Sequence, residues 1–358
     1  MRYTPEKVLD LDPYNMAGGI YNFLDDLNLA METQIDIRPK FNKILVCGMG
    51  GSAISGDILA DCIYSDYNYP VIVQRFPELP KWLDDETFII VASYSGNTRE
   101  TLALYDDAME KGFKVTVMTA GGQLLERAEN DGLFILKMMP GLQPRCAVGY
   151  SLGLMLKLMD QIGGTSFKVQ IGKIMPKLKK FREELASNRS VAWEIARRIN
   201  GRTPTIYSTP EMSSSAIRWK TQINENSKMM AFSGLMPEFS HNDISGWSEG
   251  SVRESCVPIF LYEERMSKVK KKAMDAAIEV LRGYDVVPMV VKIRGKSTTE
   301  KLLRSVMIGD YVSLYLAYIN GVDPSEVASI SELKTRLGKI LPYSKTKPKR
   351  RNISKGQK

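Results

Sequence analysis

Histidine is almost missing from this chain: His241 is the only one in 358 residues. One copy therefore cannot assemble a metal centre from several imidazoles. Cysteine is scarce as well. Cys47, Cys62, Cys146 and Cys256 are widely separated and form no Cys-x-x-Cys pair, so a reduced, cytoplasmic chain is expected. No apolar run approaches the roughly 18 residues that a membrane span requires. The opening Met1-Arg-Tyr-Thr-Pro-Glu6 lacks the apolar core of a secretory signal. Acid is absent from the other end. Residues 342–358 hold seven Lys or Arg and no Asp or Glu, and without them the net charge of +8 falls to +1. The body is nearly neutral, and the basic character belongs to a tail expected to be disordered, so a nucleic-acid partner is not expected.

What remains is an ordinary globular composition, 44% hydrophobic and 25% charged, on a chain long enough for two domains or one two-lobed one. Short apolar runs alternate with amphipathic stretches. Strands are predicted at Lys43–Cys47, Pro70–Gln74, Thr87–Ala92, Lys114–Met118 and Leu133–Met138, and later at Pro204–Ser208, Val257–Tyr262 and Val286–Ile293. Helices are predicted at Pro13–Glu32, Ala53–Cys62, Thr98–Lys111, Met212–Trp219, Met266–Arg282 and Thr298–Asn320. The lysine-rich stretch Lys168–Lys180 reads as a solvent-exposed linking helix. Strands separated by helices imply parallel sheets covered on both faces.

Two loops follow buried strands. Ser93-Tyr-Ser-Gly-Asn-Thr98 places three hydroxyls, a glycine and an amide ahead of a helix, where Asn97 is predicted as N-cap with Glu100 as its capping-box partner. Hydroxyls and orphan N–H groups at a helix start suit a phosphate; an ordinary Ser/Gly turn has the same composition. Gly48-Met-Gly-Gly-Ser-Ala53 fits Gly-x-Gly-x-x-Gly/Ala, the dinucleotide spacing. The following strand, however, ends Val73-Gln74-Arg75 rather than in an acid, which leaves NADP as the nucleotide alternative. That reading gives Ser93–Thr98 no task, whereas a sugar phosphate held by both loops employs both.

Gly50-Gly-Ser52 paired with Ser93–Thr98 resembles the sugar isomerase domain of phosphosugar-binding proteins. Further stretches, Leu142-Gln-Pro-Arg145, Asn224-Glu-Asn226, Glu238-Phe-Ser-His-Asn242 and Gly309-Asp-Tyr-Val-Ser-Leu-Tyr-Leu316, are similar to those of the archaeal-type bifunctional phosphoglucose/phosphomannose isomerases. The resemblance spans most of residues 12–340. It implies an α/β fold of two tandem sugar-isomerase-type lobes, each a mainly parallel sheet flanked by helices. The expected organisation is an N-terminal helical segment (1–40), a first lobe (41–165), linking helices (166–200), a second lobe (201–341) and the tail (342–358).

An aldose–ketose isomerase moves a proton between C1 and C2 through an enediolate, and so needs a base, a ring-opening group and positive charge near the oxyanion. By resemblance, Glu225 is the base, Arg145 the fixed charge and His241 the ring-opening group, reaching the neighbouring subunit's site in a homodimer. Lys334 resembles a family lysine implicated in ring opening. The phosphate is expected at Gly50, Gly51, Ser52, Ser93, Ser95 and Thr98. No cofactor or metal is expected: the multi-histidine sites of zinc-dependent phosphomannose isomerases cannot be built here. Two alternatives remain, a sugar-phosphate-sensing regulator and an isomerase of another phosphosugar. Residues 1–40 are too short for the DNA-binding module that such a regulator adds.

Overall fold

Each β-branched and aliphatic run in the first half of the chain becomes a strand of one parallel sheet. The structure, a computed structural model, describes residues 10–187, 189–248 and 250–340. The expected basic tail lies outside these residues. The predicted helix Pro13–Glu32 is two helices, α1 (Met16–Tyr21) and α2 (Phe23–Ala30), divided at Asn22, which serves as a cap to both. Asparagine favours such positions because its side chain competes with the helical backbone.

The sheet elements then run β1 (Lys43–Gly48), α3 (Gly50–Ile63), β2 (Val71–Gln74), β3 (Thr87–Ala92), α4 (Arg99–Glu110), β4 (Lys114–Thr119), α5 (Gly122–Asn130) and β5 (Ile135–Lys137). Their spatial order is β2-β1-β3-β4-β5, with every pair parallel. The order reverses between β1 and β3, the point beyond whose carboxyl ends open α/β sheets receive ligands.

Helices α6 (Val148–Ile162), α7 (Phe167–Leu185) and α8 (Val191–Ile199) lead to the second sheet. Helix α7 is not simply solvent-exposed: it buries Phe167, Ile171, Met175, Leu178 and Leu185, while its lysines face outward. That is the stripe expected of a helix covering a core.

The second half continues with β6 (Thr203–Ser208), α9 (Ser213–Ser227), β7 (Phe232–Leu235), α10 (Asp243–Gly246), α11 (Gly250–Ser255), β8 (Cys256–Glu263), α12 (Lys268–Gly283), β9 (Met289–Ile293), α13 (Thr298–Asn320) and α14 (Ala328–Ile340). The sheet is parallel, in the order β7-β6-β8-β9. Helix α9 runs two turns beyond the predicted Trp219, and β7 has no counterpart among the predicted strands.

Helix α13 joins the two halves. Among the described residues it is the one helix long and apolar enough to cross a membrane by length and composition, and 89% of that apolar window is buried inside the fold. It contributes Leu302, Val306, Tyr311, Leu314 and Leu316 to a core that also holds Ile44, Ile90 and Met155 from the first half. Trp219 of α9 is fully buried beside it, and its indole donates to the Ser305 carbonyl at 2.7 Å. No disulfide forms: Cys47, Cys62 and Cys146 are buried, and burial pushes each thiol up to about 12.

Candidate active site

The two glycine- and serine-rich loops leave the carboxyl ends of neighbouring strands, since Gly48 of β1 is in register with Ala92 of β3. Helix α3 starts at Gly50, whose φ of +52° lets the chain turn directly from strand to helix. Ser52 is buried, and its Oγ accepts from the Tyr94 N–H at 3.3 Å, which joins the loops. Ser93 is buried too and donates to Thr98 Oγ1 at 3.1 Å, whereas Ser95 is exposed. Gly96 has φ +66°, and a Cβ there would overlap the Gly121 carbonyl.

The N-cap of α4 is Thr98, not Asn97, and it makes no side-chain cap bond. Asn97 turns the other way: its Oδ1 accepts from Gln123 N–H at 3.2 Å, tying the loop to the first turn of α5. A tertiary hydrogen bond has displaced the local capping box, and the hydroxyls of Ser95 and Thr98 remain beside the helix start. Arg75, which a 2′-phosphate would need, is paired with Asp57 of α3 instead.

Arg145 stands behind this loop pair. A Cβ on Gly51 would sit 2.6 Å from the Pro144 carbonyl, so only glycine lets α3 approach the chain this closely. Arg145 is 5% exposed, and burial lowers its pKa, opposed by the charge of Glu225. Its guanidinium is held from three sides. Nε donates to Asn226 Oδ1 at 2.7 Å, Nη2 donates to the Pro324 carbonyl at 2.5 Å, and Nη1 lies 3.5 Å from Glu225 Oε2. Glu225 itself, in the last turn of α9, keeps 30% of its side chain exposed. A fixed cation beside a reachable carboxylate suits abstraction of a proton next to a carbonyl, since the cation faces the charge that develops.

No role was expected for the scaffold beneath the pair, although Asn226 and Asp310 stand in two of the family-like stretches. Arg218 of α9 makes a buried two-pronged ion pair with Asp310 of α13, both contacts at 3.0 Å, and Arg218 Nη2 also donates to the Arg145 carbonyl at 2.7 Å. Asn226 completes the circuit by donating to Ser313 Oγ at 2.9 Å. Lys228 ends α9 in a left-handed conformation, and its Nζ donates to the carbonyls of Glu225, Asn226 and Asp323. It thereby ties the end of α9 to the loop that supplies Pro324. The available signal was an opposite-charge pair, Arg218 and Asp310, embedded in otherwise apolar helix faces.

The other two predicted residues stand apart. His241 ends a 3-10 turn (Glu238–His241) anchored by buried Phe239. It is exposed, with no hydrogen-bond or ion-pair partner among the described residues. Lys334 is exposed on α14. That helix reaches the clasp region through Arg99 Nη1, which donates to the Leu337 carbonyl at 3.2 Å from the first turn of α4. One chain therefore brings Arg145 and Glu225 together, but no contact joins His241 or Lys334 to them.

Over nearly its whole length the chain is similar to proteins of known activity. It is 35% identical to the bifunctional phosphoglucose/phosphomannose isomerase of Aquifex aeolicus, with 91% of this chain and 98% of that protein covered. It is 34% identical to the enzyme of the same name from Caldicellulosiruptor bescii, over 91% and 99% of the two chains. The chain belongs to the bifunctional phosphoglucose/phosphomannose isomerase family. Within it, residues 188–337 match the model of the bacterial phospho-glucose isomerase C-terminal SIS domain. Glu225, His241 and Lys334 all lie in that stretch; Arg145 and the two loops precede it. A hypothetical protein from Thermus thermophilus shares the fold of this chain at a TM-score of 0.73, with 16% identity and 94% of each chain covered. Members of the family are aldose–ketose isomerases. Among the described residues, no group of three or more His, Cys, Asp and Glu side chains is placed to hold a metal ion.

Proposed function

We propose that this chain interconverts glucose 6-phosphate and mannose 6-phosphate with fructose 6-phosphate. The two aldoses differ only at C2, so one enediolate serves both. The observation that carries the reading is the partly exposed Glu225 carboxylate 3.5 Å from the buried Arg145 guanidinium. Glu225 takes the proton from C2 and returns it to C1, the hydroxyl proton passes from O2 to O1, and Arg145 stabilises the charge on the enediolate oxygens between the two transfers. Gly50, Gly51, Ser52, Ser93, Ser95 and Thr98 hold the phosphate, which aligns the reacting carbons with the base.

His241 opens the ring at the site of a second subunit in a homodimer, a role compatible with its exposure and its lack of partners among the described residues. Lys334 assists ring opening. The chemistry calls for no cofactor or metal, and the enzyme acts in the cytoplasm on small sugar phosphates, without membrane or nucleic-acid partners. The test supplies pure protein with each aldose phosphate in turn and follows fructose 6-phosphate. Product from both is the expected result; product from neither overturns the proposal. Mixing inactive Glu225→Gln and His241→Ala proteins tests the shared site: recovered activity is expected, and none would return His241 to its own subunit.

A further inference from the structure

The two sheets match strand for strand until the last position. In the first, β5 lies beside β4; in the second, no strand among the described residues takes the corresponding place beside β9. Among the described residues no hydrogen bond reaches the backbone of 289–293 on the side away from β8. This edge opens on a groove of about 930 Å³ between β9 and helices α7 and α8. Successive residues Met289, Val290, Val291 and Lys292 line it, so the strand presents its edge rather than a face. Leu185, Ile195 and Ile308 add an apolar floor.

The walls are strongly basic. Lysines and arginines outnumber acids in the lining by seven to two. Arg294 and Arg304 pair with Glu264 and Glu300, but Lys177, Lys180, Arg189, Arg198 and Lys292 pair with no acid among the described residues. The chain's own tail is an unsuitable occupant, since 342–358 carries only positive charge.

We infer that this groove accepts an extended acidic segment of another protein, which adds to β9 as the fifth strand of the second sheet. Backbone hydrogen bonds to the open edge supply affinity, alternate apolar side chains enter the floor, and acidic ones meet the lysines and arginines. A nucleic acid would use the charge but neither the edge nor the floor.

The test uses the full chain and a fluorescein-labelled hexapeptide alternating glutamate and valine, followed by anisotropy. Binding in roughly the micromolar range is expected, together with slower amide exchange in 289–293. Methylating alternate backbone nitrogens of the peptide should weaken binding by about tenfold or more, because an N-methyl group cannot join the ladder. The Lys180→Glu/Lys292→Glu protein, with its isomerase activity unchanged, should lose about as much. Equal binding of the methylated peptide, or equally tight binding of a single-stranded oligonucleotide, would make the groove a mere polyanion surface. Absence of peptide binding would leave the charges as simple protection of an edge strand.

Discussion

The two sheets reverse strand order at equivalent places, between β1 and β3 and between β6 and β8, yet treat the resulting crevice in opposite ways. At the first, the loops offer glycines and the hydroxyls of Ser52, Ser93, Ser95 and Thr98, and no side-chain charge from the loop pair fills the space. At the second, buried Glu263 occupies the strand end. Thr209 donates to its Oε1 at 2.6 Å and Lys301 to its Oε2 at 2.5 Å. One crevice is lined by neutral groups alone, and the other carries a resident anion. The same topology thus gives one open crevice and one internal strut, and local residue choice decides which.

The most damaging change should be Glu225→Gln, lowering kcat about a thousandfold while titration calorimetry still detects phosphosugar binding. Activity close to wild type would detach the open crevice from the chemistry. Lys301→Met should strip the resident anion of its partner and cost about 3 to 5 kcal/mol in denaturant unfolding, with Lys301→Met/Glu263→Leu recovering most of it. A single variant as stable as wild type would end the contrast with the first crevice.

Ser95→Ala should raise KM about tenfold with kcat retained, from a lost charge-assisted hydrogen bond. Ser267→Ala, at the start of α12 beside the second crevice, should leave KM unchanged. Equal effects would mean that both crevices see substrate.

The joint between the halves responds to pH. Asp61 of α3 accepts from Ser213 Oγ and from the Ser214 N–H at the start of α9, and burial pushes its pKa up to about 6. A raised carboxyl pKa means that the native state keeps a proton which the unfolded chain releases. Stability from this group therefore falls as pH rises from about 4 to 6. Against wild type, Asp61→Asn should gain roughly 2 kcal/mol between pH 4 and pH 7 in urea midpoints. A constant difference would show that Asp61 does not titrate in that window.

The strand Thr87–Ala92 and the helix Thr298–Asn320 were legible to the residue. One is a short apolar run closed by a serine- and glycine-rich turn; the other is closed by Gly321 in a left-handed cap. The strand β7, Phe232-Ser-Gly-Leu235, was not: four mixed residues at a sheet edge carry no period. The two loops could be placed between strand and helix because a strand-to-helix turn is local. The Arg145–Asn226 bond spans 81 residues and the Arg218–Asp310 pair 92, separations at which pattern has nothing to say. Asn97 misled for a related reason, as its partner lies on α5 rather than in its own helix.

Because α13 fills the seam between both halves, it also governs the order in which the chain matures on the ribosome. The first sheet is complete in sequence at Lys137, but the helix that packs on α1 and α3 of that half ends only at Asn320. At elongation rates of about 5 to 20 residues per second, that interval lasts roughly ten to forty seconds. Through it the surfaces of α1 and α3 that later meet α13 wait without their partner.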